Sequence, residues 1–388
     1  MRIDNSALSW LAVRADQTKL RLPGTDRARP PEATLAMATD AAAKVGVTRV
    51  ADITRLDTIG IPTFQAIRPA AATVAVSQGK GITPELAKVS AMMEAIEIWH
   101  VEQPLVPVAT AAPREVAGQL CYPVAELAPS VPSLLHDGLP LDWVPARSLL
   151  DGSRTLVPVE VVRLSLERKQ GWHPPAFLAS TNGLASGNTL IEAVLHALYE
   201  VIERDATTTA VTTGHRGVPV APATLGSPIV DELCRLIAAA DVELSVGFLA
   251  SRAGLPCFLA SVRGEDYPAE MFGFGCHVDP EIALTRAITE AVQTRLGYVS
   301  GARDDLDDDI EPPRGARRPD SGTPGDIRPL LPPPVAPENL LDDLDHVLAR
   351  TTAGFGHVPL VVDLTREDIG VPVVKVVAPG SRICPEVL

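Results

Sequence analysis

Hydrophobic and polar positions along the chain repeat in one pattern three times. The segment Gly81 to Glu97 reappears at Gly187 to Glu203 with a constant offset of 106, so that the Gly, a Thr, two Ala and two Glu coincide. A third segment, Asp279 to Gln293, follows the same frame a further 90 residues on, with Gln293 where the second Glu stood. Each segment opens on a helix N-cap signal: Thr83 before Pro84, Thr189, and Asp279 before Pro280. Apolar residues then recur at helical spacing, which predicts three helices. In each, a pair of Ala one turn apart leaves a smooth stripe along which a neighbour can lie close. The pairs Glu94/Glu97, Glu200/Glu203 and Glu290/Gln293 share one face, near the C-terminal end of each predicted helix.

Acidic side chains at helix C-termini oppose the dipole by roughly 0.3–1 kcal/mol each, so a repeated arrangement of this kind asks for a compensating cation. Three amphipathic helices with solvated glutamates are one reading, and a shared metal–anion site is the other. Aliphatic neighbours such as Met92, Ile96, Leu198, Ile202, Ile288 and Val292 leave little polar face to solvate and favour the second. Strand-like runs lie between the helices at 72–76, 156–162, 242–249, 257–262, 360–364 and 371–377. No regular βαβ alternation is visible, so the expected class is α+β (mixed α/β), with the three helices packed on sheet. The expected organisation is a single domain over 1–388, its core at 20–300. Residues 304–337, acidic and then rich in Pro, read as a mobile linker, and 338–388 as a C-terminal segment.

Composition narrows the function. The 388 residues carry a net charge of −14, which argues against a nucleic-acid binder. Hydrophobic residues at 46% against 21% charged supply a substantial core. The 36 prolines stiffen many connections. Five scattered cysteines without a C-x-x-C pair fit a reducing compartment and neither a disulfide scaffold nor a structural zinc site. The apolar patch at 7–13 is too short for a signal peptide, and the uncharged run 170–191 is too broken by Gly, Pro and Asn for a membrane span. A soluble, cytoplasmic protein is expected.

Ser77-Gln-Gly79-Lys80-Gly81 lacks Walker A spacing, because position 74 is Val. It reads as an anion-holding loop or as a plain tight turn. Ser180 to Gly187 is the equivalent small, polar loop before the second helix. Glu200-Val-Ile-Glu203-Arg204-Asp205 is either a surface charge cluster or part of the site, and Arg295 suits bidentate phosphate contact. His100, His196 and His277 read as satisfied structural histidines. No Ser/His/Asp elbow, H-E-x-x-H or G-x-G-x-x-G occurs. Five glutamates, two Gly-rich loops and separated Arg and Lys residues together fit a carboxylate-bound Mg²⁺ carrying a nucleotide phosphate chain.

These segments resemble the YcaO family of ATP-dependent enzymes that activate backbone amides in ribosomally made peptides. The family's S-x-G-K-G and S-A-x-x-E-A-x-E match Ser77–Gly81 and Ser90–Glu97. Its T-N-G-x-A-x-G and E-x-x-E-R-D-A match Thr181–Gly187 and Glu200–Ala206. Its A-x-T-E-A-x-Q-x-R matches Ala287–Arg295, and its closing strand matches Val371–Gly380. The resemblance implies ATP and Mg²⁺, with Glu94, Glu97, Glu200, Glu203 and Glu290 around the metal. Arg27, Ser77, Lys80, Ser90, Asn182, Arg204, Gln293 and Arg295 would contact nucleotide, and Glu200, Glu203, Arg204, Gln293 and Arg295 would form the catalytic set. The implied reaction is cyclodehydration of a precursor peptide, giving a thiazoline, an oxazoline or, as in bottromycin-like pathways, a macrocyclic amidine. Thioamide formation with a TfuA-type partner and a non-catalytic regulatory subunit are the alternatives. The chain ends Cys384-Pro385-Glu386-Val387-Leu388, without the family's P-x-P-x-P tail, and a fused leader-binding domain is not expected. A leader-binding or TfuA-like partner protein is expected in its place, along with a homodimer.

Overall fold

The computed structural model describes residues 19–130, 133–164, 175–267, 269–302, 323–334 and 338–385. A hairpin of β1 (Leu20–Leu22) and β2 (Thr25–Arg27) precedes α1 (Pro31–Lys44). Then come β3 (Arg49–Asp52), β4 (Thr63–Ile67), β5 (Val76–Lys80) and α2 (Pro84–Glu102). Strands β6 (Ala109–Ala111), β7 (Leu141–Ser148), β8 (Arg154–Pro158) and β9 (Leu184–Ser186) lead into α3 (Leu190–Thr213). After β10 (Val218–Pro219) and α4 (Pro228–Ala239) come β11 (Glu243–Ala250), β12 (Pro256–Arg263), β13 (Met271–Cys276) and α5 (Pro280–Ser300). The described chain closes with α6 (Leu340–Phe355), β14 (Leu360–Asp363) and β15 (Val373–Val377). The expected mixture of helix and sheet is what forms.

The strands make three larger sheets, ordered β3-β4-β5, β10-β11-β12-β13, and β6-β7-β14-β15-β9 with β8 on β7. All of these pairings are antiparallel. The three repeat helices α2, α3 and α5 each follow the terminal strand of a different sheet: β5, β9 and β13. Their caps form as expected, Thr83 accepting from the N–H of Leu86, Thr189 from Glu192 and Asp279 from Glu281. The alanine stripes do what their smoothness allows. At Gly79 and at Gly275, repeat-equivalent positions in β5 and β13, an added Cβ would collide with the helix backbone at Ala87/Ala91 and at Ala283/Ala287. Strand and helix backbones therefore touch, with no room for a side chain between them.

Four expectations change. Ser77 to Lys80 is strand, not loop, because it pairs along β4 from Val76↔Ile67 to Lys80↔Thr63; likewise 184–186 of the second polar loop is β9. The segment at 72–76 contributes only Val76 to a strand, and Val159–Val161 is a short 3-10 turn. The glutamate pairs sit in mid-helix, since the helices run on to Glu102, Thr213 and Ser300, so the dipole argument for a cation does not apply. Within the expected mobile linker, residues 323–334 are docked: Ile327 is fully buried, its N–H donates to Thr224 Oγ1 (3.0 Å), and Gly325 pairs with Val220. Residues 304–322 and 335–337 lie outside the described set. No helix among the described residues is long and apolar enough to cross a membrane.

Candidate nucleotide and metal site

A cavity of about 660 Å³ opens where the three edge strands and their helices meet. Ser77, Gln78 and Lys80 reach it from β5, Leu184 to Ser186 from β9, and Phe272 and Phe274 from β13. The helices contribute the same face three times. One repeat position supplies Ser90, His196 and Arg286; the next supplies Glu94, Glu200 and Glu290; the next supplies Glu97, Glu203 and Gln293. Arg27 from the hairpin and Arg204, one residue beyond Glu203, complete the polar wall. Of the residues expected at the site, Arg27, Ser77, Lys80, Ser90, Glu94, Glu97, Glu200, Glu203, Arg204, Glu290 and Gln293 line this one cavity.

Two do not. Arg295 is 1% exposed and turned away. Its Nε donates to Asp57 (3.1 Å) and its terminal nitrogen donates to both oxygens of Asp266 (3.0 and 2.9 Å), so its fork is spent within the protein. Asn182 is also absent from the lining, and its side-chain oxygen is buried without a partner. One histidine departs from expectation. His100 donates from Nδ1 to the Ile96 carbonyl (2.7 Å) and His277 accepts from the N–H of Asp279 (3.0 Å), both structural. His196 instead lines the cavity, with Nε2 2.9 Å from the Arg27 guanidinium. A guanidinium can only donate, so this imidazole is neutral. Burial first, then Arg27 and Arg286, push its pKa well below the ordinary value.

The carboxylates divide by environment. Burial drives Glu97 up to about 8, although Ser186 donates to it. Burial, with Glu290 nearby, drives Glu203 to about 7. Glu200 is raised by burial against the pull of Arg204 and Lys375. Burial also acts on Glu290, but Lys80, ion-paired with it, and Arg204 outweigh it and hold that group low. Two backbone contacts repeat: Gln78 N–H donates to Glu94 (2.8 Å) and Phe274 N–H to Glu290 (3.4 Å), equivalent atoms in the first and third repeats.

These residues fit a divalent cation. Oε2 of Glu203 is buried with no hydrogen-bond partner, and burial disfavours charge that a cation would stabilise. Among the described residues, no three His, Cys, Asp or Glu groups already stand close enough to hold a metal by themselves. Mg²⁺ suits such a site, since it keeps waters and takes phosphate oxygens along with one or two carboxylates. Motif reading missed four cavity residues. Arg286 was within reach, one turn before Glu290 at the position of Ser90 and His196. Glu192, which accepts from Ala28 N–H (2.8 Å) and pairs with Arg27, breaks the repeat and gave no signal. Phe272 and Phe274 sit in a glycine-rich strand.

Carboxylates, separated cations and repeat-related helices around one cavity define an ATP- and Mg²⁺-binding protein. The YcaO cyclodehydratase, ATP- and Mg²⁺-binding, family model matches residues 78–382, and the chain belongs to that family. A Mycobacterium tuberculosis (strain H37Rv) protein is 38% identical over 367 residues, 92% of this chain and 82% of its own length. A Rhizobium leguminosarum bv. trifolii protein, described by its place in the tfuA 3′ region, is 32% identical over 382 residues, covering 92% and 89%. Among solved structures, YcaO from Methanopyrus kandleri bound with AMPPCP and Mg²⁺ superposes with TM-score 0.74 at 24% identity, covering 94% of each chain. A heterocyclase in complex with substrate and cofactor gives TM-score 0.74 at 23% identity; 96% of this chain spans 55% of that one.

Proposed function

We propose that this protein spends ATP to activate backbone amides of a ribosomally made precursor peptide, closing a thiazoline, an oxazoline or a macrocyclic amidine. What carries the reading is the cavity: six carboxylates with Lys80, Arg204 and Arg286 on repeat-related elements, in a chain of an ATP- and Mg²⁺-binding family. In the proposed reaction a Cys, Ser or Thr side chain or an amine of the peptide adds to a carbonyl. The resulting oxyanion attacks the γ-phosphorus of ATP and displaces ADP, and phosphate then departs with the former carbonyl oxygen. Bound Mg²⁺ would neutralise charge on the phosphates, held by Glu94, Glu97, Glu200, Glu203 and Glu290. Lys80 and Arg204 stand beside those carboxylates as fixed cations for charge developing on the transferred group. Ser77, Ser90 and Gln293 offer neutral hydrogen bonds, and His196 holds Arg27 toward the cavity. Arg295 and Asn182 have no part in this, except that Arg295 braces the helix that carries Glu290 and Gln293. The reading includes cytoplasmic location, a homodimer and a leader-binding partner protein.

A second reading has one observation in its favour. The Rhizobium relative is described by its place beside tfuA, which supports thioamide formation with a TfuA-type partner. Mass separates the two. Incubated with its peptide, ATP, Mg²⁺ and partner protein, the enzyme should remove about 18 Da per cyclodehydration, whereas exchange of oxygen for sulfur adds about 16 Da and requires sulfide. An unchanged peptide in every combination would indicate a regulatory subunit.

A further inference from the structure

Two cysteines on neighbouring strands stand face to face. In the antiparallel register of β12 and β13, Cys257 lies opposite Cys276. The next pair outward, Pro256 and His277, is hydrogen-bonded, the His277 N–H donating to the Pro256 carbonyl (3.3 Å). Alternation therefore makes the cysteines a non-hydrogen-bonded pair, the kind whose Cα atoms approach to about 4.5 Å and whose side chains lie nearest. A disulfide accepts Cα separations of roughly 4.4–6.8 Å, so the backbone already has the required spacing. The two thiols share one face of the sheet. Both are free thiols and almost wholly buried, at 1% and 0% exposure, in the same apolar cluster as Leu198 and Ile202 of α3.

We infer that Cys257 and Cys276 are a redox modification site, a cross-strand dithiol that closes to an intramolecular disulfide on meeting a two-electron thiol oxidant of the peroxide or disulfide class. One Sγ–Sγ bond forms, both S–H bonds break, and two electrons and two protons pass to the oxidant. With diamide as oxidant, they convert its N=N bond to the hydrazine. Burial shields the pair from random alkylation, while the position of β13 at a sheet edge lets the strand open locally and admit a small reagent. The bond would pin the end of β13 to β12 just before Asp279 caps α5. It would thus fasten the root of the helix that carries Arg286, Glu290 and Gln293.

The full chain is treated overnight with excess diamide under native conditions, then denatured, alkylated with N-ethylmaleimide, digested and analysed by mass spectrometry. The expected product has lost about 2 Da before alkylation, and only three of the five cysteines take up the reagent. The Cys257 and Cys276 peptides are linked, and dithiothreitol releases them. Closing the intervening loop should raise the thermal midpoint by on the order of 5 °C. Cys257→Ala and Cys276→Ala should each abolish the link without creating another. Uptake of reagent by all five cysteines after the treatment overturns the proposal. A bridge that engages Cys121, Cys234 or Cys384 instead of the pair also overturns it.

Discussion

The carboxylate of Glu97, on the first repeat helix, accepts both the N–H (2.8 Å) and the hydroxyl (2.5 Å) of Ser186, on the edge strand that leads into the second. One side chain thus ties two repeats together at the cavity. Glu97→Gln keeps an acceptor for Ser186 and removes a group whose ionisation burial opposes. The variant should match or exceed the wild type in thermal midpoint at neutral pH without ligands. Its ATP hydrolysis should fall by about a hundredfold or more, as for a lost metal contact. Unimpaired turnover would remove Glu97 from the metal site.

Glu203 and Glu290 should respond in opposite directions. Glu203 is disfavoured by burial, so Glu203→Gln is expected to stabilise the ligand-free protein. Glu290 is ion-paired with Lys80, so Glu290→Gln strands a cation and should lower the midpoint. Calorimetry without nucleotide or Mg²⁺ makes the comparison. A rise in both variants would mean that repulsion, and not specific pairing, governs the cluster.

Arg295 tests the distinction between bracing and binding. Arg295→Met leaves Asp57, with a side chain 4% exposed, buried without its cation. The expected cost is on the order of 3–5 kcal/mol in urea unfolding. Whatever variant remains folded should bind a non-hydrolysable ATP analogue with nearly wild-type affinity. A large loss of affinity without loss of stability would return Arg295 to the nucleotide.

Asp343 gives a pH test away from the cavity. It is 2% exposed and 2.8 Å from Lys19, yet burial prevails and raises its pKa to about 6. Its unfolded value is about 3.9, so between those limits the folded chain holds a proton that the unfolded chain has released. That contribution is full below about pH 4 and is lost as pH rises through about 6. The unfolding free energy of Asp343→Asn relative to wild type should therefore increase by on the order of 3 kcal/mol between about pH 4 and 7. A difference that stays constant with pH would show that Asp343 titrates normally.

The three repeat helices were legible because cap, alanine stripe and glutamates recur at spacings that only a helix brings to one face. Ser77 to Lys80 was not. Ser, Gln, Gly and Lys have little preference for strand, and the segment is extended because β4 pairs with it and Gly79 admits α2. Met271 to Cys276 escaped for the same reason, its alternate glycines being there for the backbone of α5. Arg295 matched a family motif and a phosphate-binding chemistry, but Asp57 and Asp266, which claim it, are remote in sequence. His196 carried no local mark of its contact with Arg27, which comes from a different element 169 residues away.

Ser90, His196 and Arg286 fill one position of a thrice-used helix with a hydroxyl, a neutral imidazole and a cation. Three identical copies would offer a ligand three interchangeable seats. Here the substitutions make the three seats chemically unlike. Arg27 and Arg286 both oppose a charge on His196, whereas Glu97 is crowded by Glu94 and Glu200. A polyanion escorted by a cation meets a different field at each of the three positions and finds no interchangeable seat among them.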